Sequence, residues 1–363
     1  MKTIKVFVLP SHQTKERTSG VDFARIIQPM KHLDGYTDGE VTFKVDLFDI
    51  HSTKSLDWLQ VAKKYDIIYL NYINDPWGYA AMGAMARKHG AKLVFDIDDS
   101  LWNVKDDNPA HGVYHKGSEA IGNFTSICND VDYMTTTSDY LKHVIMNNTK
   151  KKATQIKVFP NYVDLDLYKY RAPFEKNSEI TLMHFGSTTH QNDLSDDEFK
   201  KGIDRIFSEY PNIKLKMVGA FLPKFKTRWG QRYQNAYGHS DIYRWISDKF
   251  PEFMAEADIL VVPLTDDIYN RCKSSIKFVE SASAKIPGVW QDIRQYQEVI
   301  EPGKNGYLAK DAKDWYNGIK ALIDDAEHRK SVGEAALKTV KDKWTIQAHV
   351  KDYAQFFKDI LLP

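Results

Sequence analysis

Cysteine is scarce in this chain of 363 residues, with only Cys128 and Cys272 present. They lie far apart, so neither a disulfide framework nor a cysteine metal motif can be written from them, and a reducing compartment fits. Net charge is missing as well. Lys and Arg number 50 against 49 Asp and Glu, leaving +1. That removes any global pull toward nucleic acid or an anionic membrane, and only a local patch could supply one. No apolar run reaches the length of a membrane span. The opening stretch, Met1 to Pro10, is too short and wrongly flanked for a signal peptide, so a cytoplasmic protein is expected. Internal repeats and low-complexity tracts are absent. What is there is 42% apolar residues, over a length that suggests two domains with a core each.

Apolar strand patterns alternate with helical ones along the chain. Strands are expected at Ile4–Leu9, Val41–Phe48, Tyr65–Asn71, Lys92–Asp96, Asp132–Ser138 and Ile156–Phe159. Helices are expected at Val21–His32, Ala80–His89, Ser118–Asn129 and Asp139–Asn147. The loop after the first strand ends in Ser19-Gly20 at a helix start, a place where an anion or sugar can be cradled on the acceptor side. A mixed stretch from 165 to 178, with Pro173, marks a domain boundary. The alternation then restarts with strands at Ile180–Gly186, Ile213–Gly219, Asp258–Leu264 and Ile286–Trp290. Helices follow at Asp196–Tyr210, Ala312–Asp325 and Glu327–Val340, with shorter pieces at Ile242–Phe250 and Phe253–Ala257. The expected fold is α/β, two doubly wound Rossmann-like domains facing across a cleft, over residues 1–170 and 171–342. A last helix, within 343–363, carries Tyr353, Phe356, Phe357 and Ile360 and is expected to pack back toward the first domain.

The most informative stretch is Asn270-Arg-Cys-Lys-Ser-Ser-Ile-Lys-Phe-Val-Glu280. It follows an apolar strand and opens a helix read as running through Lys285, so free backbone N–H groups point above the turn. Ser274 and Ser275 can cap that helix and donate hydroxyls. Lys273 and Lys277, four apart, can face one anionic ligand. Glu280 lies one turn beyond, where a carboxylate suits a ribose diol. A capped surface helix with an ion pair is the plainer reading of the same residues. In the first half, Asp96, Asp98 and Asp99 follow the fourth strand at its carboxyl end, where open α/β sheets bind ligands.

Four segments carry a resemblance. They are Asp132-Tyr-Met-Thr-Thr-Thr-Ser-Asp-Tyr-Leu141, Phe159-Pro-Asn-Tyr-Val-Asp164, Lys216-Met-Val-Gly219, and Ala257 to Glu280. In this order they are similar to motifs of the GT-B glycosyltransferases, specifically the retaining glycosyltransferase family 4, or glycosyl transferases group 1. The resemblance implies two Rossmann-like domains, an acceptor-side one and a nucleotide-sugar-binding one. It places the donor ribose on Glu280 and the diphosphate on Gly186, Ser187 and the turn from Lys273 through Ser274 and Ser275 to Lys277. The nucleobase falls near Gly219 and Pro263. A first motif glutamate falls on Cys272, a departure. The family's basic pair after the first strand of the second domain is also missing; Gly186-Ser-Thr-Thr-His-Gln-Asn-Asp193 offers hydroxyls, His190 and Asp193, leaving Lys273 and Lys277 more of the leaving-group charge.

The implied activity is transfer of a sugar from a nucleotide-diphosphate sugar, the co-substrate, to a hydroxyl, with retention and with neither metal nor cofactor. Asp98 or Asp99 would be the acidic group near the sugar. One competitor is a Mg²⁺-dependent phosphohydrolase. Val94-Phe-Asp-Ile-Asp-Asp-Ser-Leu101 resembles the haloacid-dehalogenase motif, with Asp96 as nucleophile and Asp98 as acid. A non-catalytic nucleotide-sugar-binding protein is the other. For the acceptor, Phe221, Phe225, Trp229, Tyr233 and Tyr237 recur every four residues among Lys224, Arg228 and Arg232. The acceptor could be a glycan, a lipid-linked glycan, a small soluble molecule or a hydroxymethylated base in DNA, and a helix with that stripe could meet it or simply pack on its own domain.

Overall fold

Short apolar segments of the first half pair as a parallel sheet. Its strands are β1 (Lys2–Leu9), β2 (Val41–Leu47), β3 (Ile67–Asn71), β4 (Lys92–Ile97), β5 (Tyr133–Thr136) and β6 (Ile156–Val158), in the order β2-β1-β3-β4-β5-β6. The central strands β3 and β4 are buried almost throughout, which is why they read as continuous apolar runs. The computed structural model describes residues 2–11, 13–14, 17–18, 20–48, 56–72, 76–168, 179–219, 222–237 and 250–361.

The second half forms another parallel sheet from β7 (Ile180–Gly186), β8 (Ile213–Gly219), β9 (Tyr233–Tyr237), β10 (Ile259–Val262), β11 (Gly288–Gln291) and β12 (Tyr307–Ala309). The order is β9-β8-β7-β10-β11-β12. Chain order reverses between β7 and β10, so a crevice opens past their carboxyl ends. Both faces of each sheet are covered by apolar clusters.

Most expected elements are present within a residue or two. The exceptions have identifiable causes. The helix after the first loop opens with a wide turn, Asp22–Ile27, in which the Gln28 N–H reaches back to the Phe23 carbonyl; regular α-helix then runs Gln28–Leu33. Pro29 beside it has no N–H to give. The aromatic stripe is not one helix. A helix Pro223–Trp229 stops at Gly230, whose φ of +58° ends it, and the chain continues as the edge strand β9. Phe225, Trp229 and Tyr233 are buried in the domain core. Phe221 and all but the last residue of the expected helix Ile242–Phe250 lie outside the described residues.

The C-terminal helix, Ile346–Leu361, leaves the second domain and packs on the first. Tyr353 stacks on Phe159 with centroids 3.9 Å apart, and Phe357 meets Tyr69 edge-on at 5.8 Å. Where it crosses over, Val163 N–H bonds the Trp344 carbonyl at 3.0 Å and Ile346 N–H bonds the Val163 carbonyl at 2.9 Å. The expected boundary falls in 169–178, outside the described residues.

Candidate active site

The carboxyl ends of the two sheets face each other across a cavity of about 260 Å³. From the first half come Gly20, Asp98, Asp99 and Asn161; from the second come Gly186, Ser187, Lys273, Ser274, Lys277 and Glu280. The sequence reading thus converges on one place. Ser19 lies outside the described residues.

The stretch after β10 is not a single helix. A short helix, Ile268–Cys272, capped by Asp267, is followed by the turn Lys273–Ser275 and then the helix Ile276–Ser283. Ser275 is the N-terminal flanking residue of that helix, but its side chain makes no capping bond and it is buried off the cavity. Ser274 does not cap either: its Oγ accepts from Asn161 Nδ2 at 2.8 Å. The helix ends at Ser283, and Lys285, with φ +58°, already points the chain away. Lys273 and Lys277 therefore share the cavity from a turn and a helix, not from one helix face.

Gly186 closes β7 in tight quarters. A Cβ there would sit 2.8 Å from the His190 ring and 3.2 Å from His184 Nε2. Ser187 Oγ lies 2.6 Å from Thr189 Oγ1. Gly219 and Pro263 are not on the cavity wall; Leu264, one residue past Pro263, is.

Asp98 and Asp99 are adjacent but differently held. Asp98 Oδ1 accepts from the Tyr72 hydroxyl at 2.7 Å. Burial, and next the charge of Asp99, push its carboxyl up to about 7. Asp99 reaches across to the second domain: Tyr269 O–H donates to Oδ2 at 3.1 Å, and Lys273 Nζ is 3.7 Å from Oδ1. Asp96 is elsewhere in function. It is fully buried in an ion pair with Arg25, at 3.0 and 2.6 Å, and also accepts from Tyr69 and Thr135.

Glu280 makes no hydrogen bond or ion pair among the described residues, and burial raises its carboxyl to about 8, opposed by Lys277. Lys277 is lowered to about 8, by burial first and then by Lys273. Its ammonium is 3.1 Å from His190 Nε2.

Residues 179–325 match the family described as Glycosyl transferases group 1. The protein is a glycosyltransferase of the GT-B fold. Solved structures with the same fold as the transferase include Anabaena Alr3699/HepE in complex with UDP and glucose. It is 16% identical, with TM-score 0.66, over 98% of this chain and 99% of that one. Sucrose-phosphate synthase from Thermosynechococcus elongatus is 12% identical, with TM-score 0.63, over 98% and 99%. A glycosyltransferase from Rickettsia africae ESF-5 is 14% identical, with TM-score 0.63, over the whole of both chains. No curated protein sequence matches the chain.

In this transferase Cys272 is removed from the cavity. It is fully buried among first-domain residues, its carbonyl accepts from Ser138 Oγ at 3.2 Å, and burial pushes its thiol up to about 12. It is neither nucleophile nor sugar ligand; it pins the loop to the opposite domain. Asp96 cannot serve as a phosphohydrolase nucleophile, because Arg25 and a ring of donors occupy its oxygens. The acceptor-surface residues are also spent otherwise. Arg228 pairs with Asp204, Trp229 Nε1 donates to Asp204 at 2.8 Å, and Arg232 donates to the Phe207 carbonyl and lies over the Phe207 ring. Lys224 Nζ reaches Ser195 Oγ at 2.6 Å. None of the four lines the cavity.

Sequence reasoning passed over Asn161, Tyr72 and Tyr269. Asn161 stands in the Pro-Asn motif between the domains, and its Oδ1 accepts from Arg25 at 3.0 Å while its amide holds Ser274. That motif was the available signal. Nothing local marks the two tyrosines: Tyr72 meets Asp98 within the first domain, and Tyr269 meets Asp99 across the domains.

Proposed function

We propose that the transferase moves a sugar from a nucleoside diphosphate sugar to a hydroxyl of a glycan acceptor, with retention and without a metal. The observation that carries this is the convergence of Lys277, Lys273, Glu280 and the start of the helix Ile276–Ser283 on one cavity with Asp98. In the reaction the bond from anomeric carbon to diphosphate breaks, and its electron pair goes to the phosphate oxygen. Lysines and backbone N–H groups fixed beforehand stabilise that charge. Glu280 accepts from the ribose hydroxyls. The acceptor oxygen bonds to the anomeric carbon as its proton passes to the departing phosphate oxygen, while Asp98 faces the positive charge developing on the sugar. The glycan is favoured over DNA because two cations of the stripe that suggested a polyanion, Arg228 and Arg232, already pair with groups of their own domain at its surface.

Melting temperature against UDP, GDP, ADP, TDP and CMP, each in EDTA and in Mg²⁺, tests this. A rise with one diphosphate in EDTA, lost in Glu280→Ala, is expected and names the donor base. No rise with any of them overturns the reading.

A further inference from the structure

Lys277 is buried, yet among the described residues no carboxylate stands within ion-pair distance of it. Its polar neighbour is a histidine, at 3.1 Å. His190 sits in the loop after β7, and its other nitrogen, Nδ1, lies 2.9 Å from Asp193 Oδ2. Asp193 Oδ1 accepts from the Thr265 N–H and from Asn270 Nδ2, both at 2.9 Å. The three side chains at the centre of this chain of bonds are enclosed: His190 is 7%, Asp193 4% and Lys277 8% exposed.

The geometry fixes the proton positions. Asp193 is an acceptor, so the ring donates through Nδ1–H. Nε2 then presents a lone pair, and the group facing it is an ammonium with three donors. One N–H of Lys277 is used there; the others are available to the cavity that Lys277 lines. Burial, followed by the nearby Lys277 and Lys273, keeps the imidazole well below its ordinary range and therefore uncharged. An uncharged acceptor can hold a cation in place without neutralising it. A carboxylate at the same spot would hold it more firmly but would cancel the charge a phosphate needs.

We propose that His190, oriented by Asp193, is a positioning residue that holds the Lys277 ammonium ready for the diphosphate of the donor. It acts through Lys277 and not on the reacting atoms, and it rests on the donor-site reading above. The gain is preorganisation. A free lysine loses its rotamer freedom when the ligand arrives, whereas here that loss has already occurred in folding. Asn270 extends the same bonds into the short helix that Tyr269 and Cys272 anchor on the first domain.

The probe is whichever of UDP, GDP, ADP and TDP raises the melting temperature most, titrated by calorimetry alongside its bare nucleoside. His190→Ala is expected to weaken the diphosphate by about 10- to 100-fold, as for a hydrogen bond to a charged group, and to leave nucleoside affinity unchanged. His190→Gln, whose amide oxygen can accept from the ammonium, recovers part of the loss. In turnover the donor KM rises more than kcat falls. Asp193→Asn provides a second route: an amide donor facing Nδ1 turns the ring to the other tautomer, and Nε2–H then repels the ammonium. The same selective loss is expected, with ¹⁵N shifts of the ring reporting the tautomer change. Unchanged diphosphate affinity in folded His190→Ala, or an equal loss for diphosphate and nucleoside, overturns the positioning role while leaving the donor site standing. If wild-type protein binds none of the diphosphates, the donor-site reading itself fails.

Discussion

The hydroxyl of Tyr269 donates to Asp99 Oδ2 over 3.1 Å, joining the second domain to the first beside the cavity that Asp99 lines. Lys105 and Asp267 make a second such bridge at 2.9 Å. Charged and hydroxyl groups that water could replace thus add to the contact that the buried Cys272 and the C-terminal helix make between the halves. Tyr269→Phe removes one bond to a carboxylate, about 1.5–3 kcal/mol of closure. The expected outcome is a larger radius of gyration by X-ray scattering and a fall of about 10- to 100-fold in kcat/KM.

Asp98 and Asp99 should separate by mutation. Asp98→Asn is expected to lower kcat by about 10²–10⁴-fold, the usual range for a carboxyl acting at the reacting centre. Its diphosphate affinity should stay at the wild-type value. Asp99→Asn should instead act on closure and resemble Tyr269→Phe. Steady-state kinetics with parallel calorimetry checks both; equal kcat losses with unchanged scattering would show that Asp99 also faces the sugar.

Diphosphate affinity should depend on pH with a definite sign. Lys277 titrates near 8 in the free protein, and an incoming anion raises that value, so affinity is full below about 8 and falls as pH rises through it. Glu280 ionises in the same region and adds a repelling charge, so it acts in the same direction. Lys273, Asp193 and Asp99 are the other charges that bear on Lys277. Titrations on both sides of neutrality should show the fall, and Lys277→Met should flatten most of it.

Asp96→Ala is a stability variant. It leaves the buried Arg25 guanidinium without its counter-ion, a loss of about 3–5 kcal/mol. Urea unfolding should show a midpoint well below that of wild type. A phosphohydrolase nucleophile would behave otherwise, with folding intact and turnover abolished.

The alternation of strands and helices was legible in the sequence because burial on both faces forces continuous apolar runs, as in Ile67–Asn71 and Lys92–Ile97. Lys273, Lys277 and Glu280 were legible because a strand, a polar turn and a helix start impose their own geometry. For the stripe from Phe225 to Tyr233, packing on its own domain holds, since all three rings join the core, but a spacing of four cannot reveal that Gly230 turns the chain into an edge strand. Asp96 misled for a related reason: position at a strand end says nothing about Arg25, 71 residues earlier, filling the space in front of it. Cys272 was legible as a departure, but its burial against the other domain is a tertiary fact. His190 and Asp193 were visible as residues on the loop, while the bond to Lys277, 87 positions further along, depends on the chain folding back.

The C-terminal helix has a mechanical meaning. Because it returns to the first domain, the polypeptide passes between the halves twice, and the two passages are hydrogen-bonded to each other where Val163 meets Trp344 and Ile346. A single connecting strand can twist about its own axis as well as bend. Tied at this bridge, the two passages cannot turn independently there, so any change in the angle between the halves has to bend both of them together.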